Sequence, residues 1–268
     1  MKNNYVHGYH ERESVRLADQ ADCLSALLHH DSIFVENSLV LEAGCGTGAQ
    51  TRIIAAQNPG SQFISIDISE ASLRQAEQSV RSMNISNVQF RQGNIFELDF
   101  DDEMFDHIFI CFVLEHLPKP KQALQALKRV LKKGGTLTLI EGDHGSAYFY
   151  PRSRAAQKAI DALVKLQALA GGNALIGREL YPLLMETGFK DCQVSPRMVY
   201  VDASRPEYVE GFTKNTFTAM IEGVREKVIN ANIINEQTFD KGVRDLYRSA
   251  EADGVFCYTF FKGSGRKT

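Results

Sequence analysis

Nowhere does the 268-residue chain carry an apolar run approaching the ~20 residues that a bilayer-spanning helix needs. Its opening stretch MKNNYVHGYHERES also lacks the apolar segment, roughly 7–15 residues long, of a secretory signal. These two absences predict a cytoplasmic protein with no membrane partner. Cysteine is sparse: Cys23, Cys45, Cys111, Cys192 and Cys257 form no CxxC pair, so neither a disulfide framework nor a zinc site is expected, and no metal is assigned. Neither sign of charge is in excess, with 33 acidic and 30 basic residues and a formal charge of −3. That balance gives no electrostatic reason to expect a nucleic-acid partner. Internal repeats and low-complexity tracts are absent as well.

What is present is a chain able to bury a sizeable core, 44% hydrophobic and 24% charged. From residue 39 short apolar, β-branched runs alternate with amphipathic stretches, the pattern of βαβ units building a parallel sheet. Strands are predicted at Leu39 to Glu42, Gln62 to Asp67, Val88 to Gln92, His107 to Phe112 and Thr136 to Glu141. Ser69 followed by Glu70 predicts a helix N-terminus, and LQALKRVLKKGG predicts a helix with a basic last turn that Gly134 ends. Beyond Glu141, SRAAQKAIDALVKLQALAGG reads as an extra helix and GRELYPLLMETGF as another. Strands follow at Cys192 to Val201 and in VFCYTFFKG, separated by about fifty residues of helical character. Three segments result: 1–38, an N-terminal helical segment; 39–145, a cofactor-binding core; and 146–268, the last two strands with an inserted helical cap.

The most informative segment is VLEAGCGTGAQT, in which a strand enters Gly44, Gly46 and Gly48 and then a helix. Residues without a β-carbon let the backbone turn sharply and approach a nucleoside, while the following helix presents free N–H groups. Tight strand-to-helix turns also use glycine for structural reasons alone, so the neighbouring strand ends matter. Asp67 ends the next strand, nineteen residues beyond Gly48, where a carboxylate can accept from both hydroxyls of a ribose. Gly93 and Asn94 close the third strand, and Cys111, Phe112 and Val113 the fourth. These tips share the carboxyl edge at which open α/β sheets bind ligands.

In this order VLEAGCGTG, FISID, RQGNIFELDF, FDHIFICFVLEHLPKP and LKRVLKKGGTLTLIEG resemble the successive motifs of class I S-adenosylmethionine-dependent methyltransferases, over roughly residues 39 to 141. The resemblance implies an α/β fold: a Rossmann-like, seven-stranded, mostly parallel sheet with its last strand antiparallel and helices on both faces. It implies S-adenosylmethionine as cofactor, with Glu42, Gly44, Cys45 and Gly46 at the methionine part, Asp67 on the ribose and Ile68 near the adenine. Gly93, Asn94, Ile95 and Phe96 fall on the adenine side, and Cys111, Phe112, Val113 and His116 near the cofactor or the substrate entrance. Many family members have aspartate where this chain has Asn94, whose amide oxygen can still accept a hydrogen bond.

An NAD oxidoreductase is the competing reading, since GCGTGA also satisfies GxGxxA and Asp67 suits an NAD ribose. Against it stand Glu42 two residues before the first glycine, the later motifs, and the lack of a YxxxK pair. A non-catalytic scaffold on the same fold is disfavoured by the intact glycine loop and Asp67.

Methyl transfer from a sulfonium is an in-line displacement on an activated carbon, so no universal catalytic residue is required. Candidate catalytic groups are Tyr9, on a segment that also carries Arg16 and Gln20, and Asp143 and His144 in the turn expected after the fifth strand. Glu141, Tyr148, Arg178, Tyr181 and Arg197 are candidate substrate contacts, although long side chains on surface elements also serve packing. The expected partner is a small-molecule acceptor enclosed by the helical cap. The threonine and aromatic content of Thr213 to Phe217 suggests a pocket lining.

Overall fold

A computed structural model describes residues 11–268, the side chains of 11–15 and 18 excepted. Tyr9 lies outside the described residues. In chain order the elements are α1 (Glu11–His29), β1 (Leu39–Ala43), α2 (Thr51–Gln57), β2 (Gln62–Asp67), α3 (Glu70–Ser82), β3 (Val88–Gln92) and β4 (Phe105–Cys111). There follow α4 (Pro120–Val130), β5 (Leu131–Tyr150), α5 (Arg154–Leu169), α6 (Leu180–Glu186) and β6 (Lys190–Val201). The last part holds α7 (Pro206–Tyr208), a π-helical segment Val209–Thr218, α8 (Ala219–Gly223), α9 (Arg225–Asn230), α10 (Glu236–Arg248) and β7 (Val255–Arg266). Among these helices none is long and apolar enough to cross a membrane.

The chain divides into two compact units. One comprises residues 25–141, 176–196 and 261–268, the other the described residues up to Leu24 with 142–175 and 197–260. β5, β6 and β7 each run from one into the other. The seven strands lie in the order β3-β2-β1-β4-β5-β7-β6, six parallel and the last antiparallel. The parallel register pairs Leu41 with Ile64 and with Ile108, and Ile108 with Leu137.

Both faces of the sheet in the first unit are covered, which is why β1 is buried along nearly its whole length rather than alternating. On one face Leu41, Ile66, Ile108, Ile110, Leu137 and Leu139 meet Leu124, Leu127 and Val130 of α4 and Leu180, Leu183 and Leu184 of α6. Residues one step along the strands point the other way. There the ring of Phe109 lies 5.8 Å from that of His29 on α1, and Phe34 contacts Phe63 and His107. Burial pushes the His29 imidazole down to about 4, and its Nε2 bonds to the Gln50 side chain at 2.7 Å.

The helix starts follow the expected chemistry. Ser69 caps α3 by accepting from the Ser72 N–H, and Ser153 caps α5 by accepting from Ala155 and Ala156. Two expectations need correction. The helix read through Lys133 ends at Val130, and Leu131 already pairs with Phe105; Gly134, at φ +78°, sits in an irregularity of β5 instead of ending a helix. The turn expected after Glu141 is not a turn: the strand continues to Tyr150.

In the second unit α5 packs on α10, and the π-helical segment turns Phe212 and Phe217 inward. These rings meet Phe256 and Tyr258 of β7 at centroid separations of 4.7 to 6.0 Å. Phe217 of the Thr213 to Phe217 stretch therefore belongs to a buried aromatic cluster.

Candidate cofactor site

The glycine loop is held from below by its own strands. The N–H groups of Gly44 and Cys45 both donate to the Ile66 carbonyl at the end of β2, at 2.7 and 3.0 Å. Gly44 has φ +83°, and a β-carbon there would stand 2.5 Å from Val113 Cγ2, so Val113, two residues past β4, packs directly against the loop. Gly46 also has a positive φ, +53°, yet a β-carbon on it would meet nothing within 4 Å. One glycine is required by packing. The other opens a space above the loop.

Around that space stand two carboxylates. Asp67 Oδ2 accepts from the Gly46 N–H at 2.9 Å and Oδ1 from the Ser69 N–H at 2.8 Å, which fixes the side chain across the loop and leaves lone pairs on both oxygens. Burial raises its carboxyl above the usual aspartate range. Glu42 is buried, and its Oε2 accepts from Thr51 Oγ1 and Ser65 Oγ, both at 2.7 Å. Burial pushes this carboxyl up to about 7. Thr51 and Ser65 carry no motif of their own; a hydroxyl at these places reads as ordinary helix and strand sequence until the fold brings it to Glu42.

Ile68, 51% exposed, stands beside Asp67 as an apolar wall. Gly93 to Phe96 are half-buried just past β3, where the Gly93 N–H donates to the Asp67 carbonyl. A β-carbon on Gly93 would make ordinary contact with Ile66 at 3.4 Å, so space alone does not demand glycine there. Asn94 Oδ1 accepts from the Phe96 N–H at 3.1 Å, so the amide oxygen shapes the turn. Burial raises the thiols of Cys45 and Cys111, keeping both protonated.

Past β4, Phe112 has φ +59°, a conformation that costs a bulky residue about 1–2 kcal/mol. Its neighbours Val113 and Leu114 both donate to Oε1 of Glu141, at 3.0 and 2.7 Å. Glu141 is 0% exposed and braces this turn from inside through Oε1. Its carboxyl is driven well above the usual range by burial and by neighbouring Glu115. His116 Nε2 lies 3.4 Å from Glu115 Oε1.

The other candidates fall on separate elements. Asp143 and His144 are buried in the continuation of β5, where His144 Nδ1 bonds to the Tyr258 hydroxyl at 2.7 Å. Tyr148 on the same strand is 56% exposed. Arg178 is exposed on a 3-10 turn leading into α6, and Tyr181 is exposed on α6, the helix whose Leu180 and Leu184 pack on Gly263 of β7. Arg197 lies on β6. β4 and β5 separate β7 from β1 in the sheet order.

A methyltransferase-domain family profile matches residues 35–188. A protein encoded in a transposon of Streptomyces fradiae is 31% identical over 224 residues, covering 79% of this chain and 62% of its own. A demethylmenaquinone methyltransferase of Geobacillus kaustophilus is 31% identical over 171 residues, 58% of this chain and 72% of that enzyme. The chain spans about half of two further relatives, 52% and 44% of their lengths. The YcgJ protein of Bacillus subtilis shares the fold, with a TM-score of 0.58 at 17% identity over 92% of this chain and 98% of its own. The chain thus belongs to the methyltransferase-domain family and has the Rossmann-like fold of the class I S-adenosylmethionine-dependent enzymes.

Proposed function

We propose that the chain is an S-adenosylmethionine-dependent methyltransferase acting on a small-molecule acceptor. The observation that carries this reading is the open cradle over Gly46 with the Asp67 carboxylate fixed across it. Glu42, Gly44, Cys45 and Gly46 would hold the methionine part and Asp67 the ribose. Ile68, Gly93, Asn94, Ile95 and Phe96 would enclose the adenine, and Cys111, Phe112, Val113 and His116 would complete the wall. When bound there, S-adenosylmethionine would supply an activated methyl group on a positively charged sulfur, to be attacked in line by the acceptor with S-adenosylhomocysteine as the leaving group.

The protein's task is alignment and exclusion of water, which the turn braced by Glu141 and the loop fixed by Asp67 serve by being preorganised. For an acceptor that gives up a proton, we propose His144, with Asp143 next to it in the chain, as the base; the Tyr258 hydroxyl orients its ring. A small molecule as acceptor agrees with the substrate in the name of the Geobacillus relative and with the balanced charge of the chain.

Parallel calorimetric titrations with S-adenosylmethionine, S-adenosylhomocysteine and NAD test the reading. Micromolar binding of the first two without NAD is expected. Binding of NAD alone, or of none of the three, overturns it.

A further inference from the structure

Helix α5 begins with cations where its dipole favours anions. Arg154 is its first residue, no acid lies in its first turn, and Lys158 follows one turn later on the same face. Like charges at this spacing repel, and cations at this end oppose the helix dipole. Arg152, Arg154 and Lys158 are exposed and make no hydrogen bond or ion pair among the described residues.

These three residues line a groove of about 560 Å³, bounded by residues 151–155 on one side and α10 on the other. Its lining holds five cations, Lys241 and Arg248 being the others, against the single carboxylate of Asp245. That carboxylate is already committed: Oδ2 accepts from Ser153 Oγ at 2.5 Å and pairs with Lys241 at 2.6 Å. Arg248 is held by a two-pronged pair with Asp253, both contacts at 2.7 Å. Three free cations therefore remain in a concave site on a chain whose formal charge is −3. A concave wall of low polarisability concentrates their field.

We infer that this groove binds the phosphate groups of a soluble phosphorylated small molecule. Two guanidinium forks offer paired donors to phosphate oxygens and Lys158 adds a point charge, while the N–H groups of Ala155 and Ala156 are already taken by Ser153. The volume lies in the range of small-ligand sites, roughly 300–1,000 Å³. Among the described lining residues Pro151 and Ala155 are the apolar ones, and the charged side chains dominate the groove's chemistry. The groove lies wholly within the unit that contains α5 and α10, so this site is independent of the methyl-transfer reading.

Calorimetric titration of the whole protein with inorganic pyrophosphate, at about 0.15 M salt so that only close charge contacts survive screening, tests it. Saturable 1:1 binding is expected. The Arg152→Ala/Arg154→Ala/Lys158→Ala variant should bind at least tenfold more weakly while its affinity for S-adenosylhomocysteine is unchanged. If that variant unfolds, the milder Arg154→Gln/Lys158→Gln pair carries the same expectation. Absence of saturable binding, equal affinity in a folded variant, or sedimentation with phosphatidic-acid vesicles without pyrophosphate binding each overturns the proposal.

Discussion

The backbone N–H of Gly46 donates to Asp67 Oδ2 across 2.9 Å, joining the glycine loop to the tip of the neighbouring strand. One carboxylate thus fixes the loop and faces the space the loop opens. Asp67→Ala should weaken S-adenosylhomocysteine binding by about 1–3 kcal/mol, with the loss read by calorimetry. Asp67→Asn keeps one acceptor oxygen and should fall between the two. Undiminished affinity in Asp67→Ala would remove this residue from the site.

Two glycines of the loop should separate folding from binding. Gly44→Ala places a β-carbon 2.5 Å from Val113 at a positive φ and should cost about 2–4 kcal/mol of stability. Gly46→Ala meets open space and should cost only about 1–2 kcal/mol, yet abolish detectable cofactor binding. Val113→Ala should recover part of the first loss and none of the second. Thermal unfolding and calorimetry on wild type, the two glycine variants and each of them combined with Val113→Ala decide the matter.

Buried Glu42 and His29 should oppose each other in acid. Glu42 is raised to about 7, so the folded state holds its proton where the unfolded chain releases it, and stability rises as pH falls from 7 toward the ordinary glutamate value. His29 is lowered to about 4, so the unfolded chain binds its proton first, and stability falls as pH drops from about 6.5 toward 4. Glu141 and Asp67, also raised by burial, contribute equally to wild type and variants, so the differences between profiles from about pH 6.5 to 4.5 isolate Glu42 and His29. Glu42→Gln should expose a loss of stability in acid and His29→Gln a gain, measured by urea unfolding at each pH. Identical profiles in all three proteins would contradict the assignment.

Glu141 accepts two backbone N–H groups on one oxygen and is raised well above the usual carboxylate range by burial. Glu141→Gln retains a carbonyl acceptor and should leave stability within about 1 kcal/mol of wild type. Glu141→Leu strands both N–H groups and should cost about 2–4 kcal/mol in urea unfolding. Equal stability of the two variants would mean that the turn after β4 does not depend on this side chain.

Local signals made the sheet legible: apolar runs for β1 to β4, the Ser69 cap, and glycines placed between a strand and a helix. These depend on chemistry within a few residues, and periodicity or a turn expresses them directly. The carboxyl-edge residues were legible for the same reason, since parallel topology brings the strand tips to one edge whatever the side chains beyond them do.

Tertiary structure alone decided what each polar residue does there. Glu141 looked available for substrate because it ends a strand, but its neighbours bury it and the turn of Val113 and Leu114 claims its oxygen. Thr51 and Ser65 gained their role only by meeting Glu42, nine residues from the first and twenty-three from the second. The extension of β5 through His144 to Tyr150 likewise depends on distant partners such as Tyr258, 114 residues from His144. Chain-local rules determine which segments become strands and helices; which polar atoms are buried, and whose hydrogen bonds they satisfy, depends on contacts far apart in sequence that only the packed fold creates.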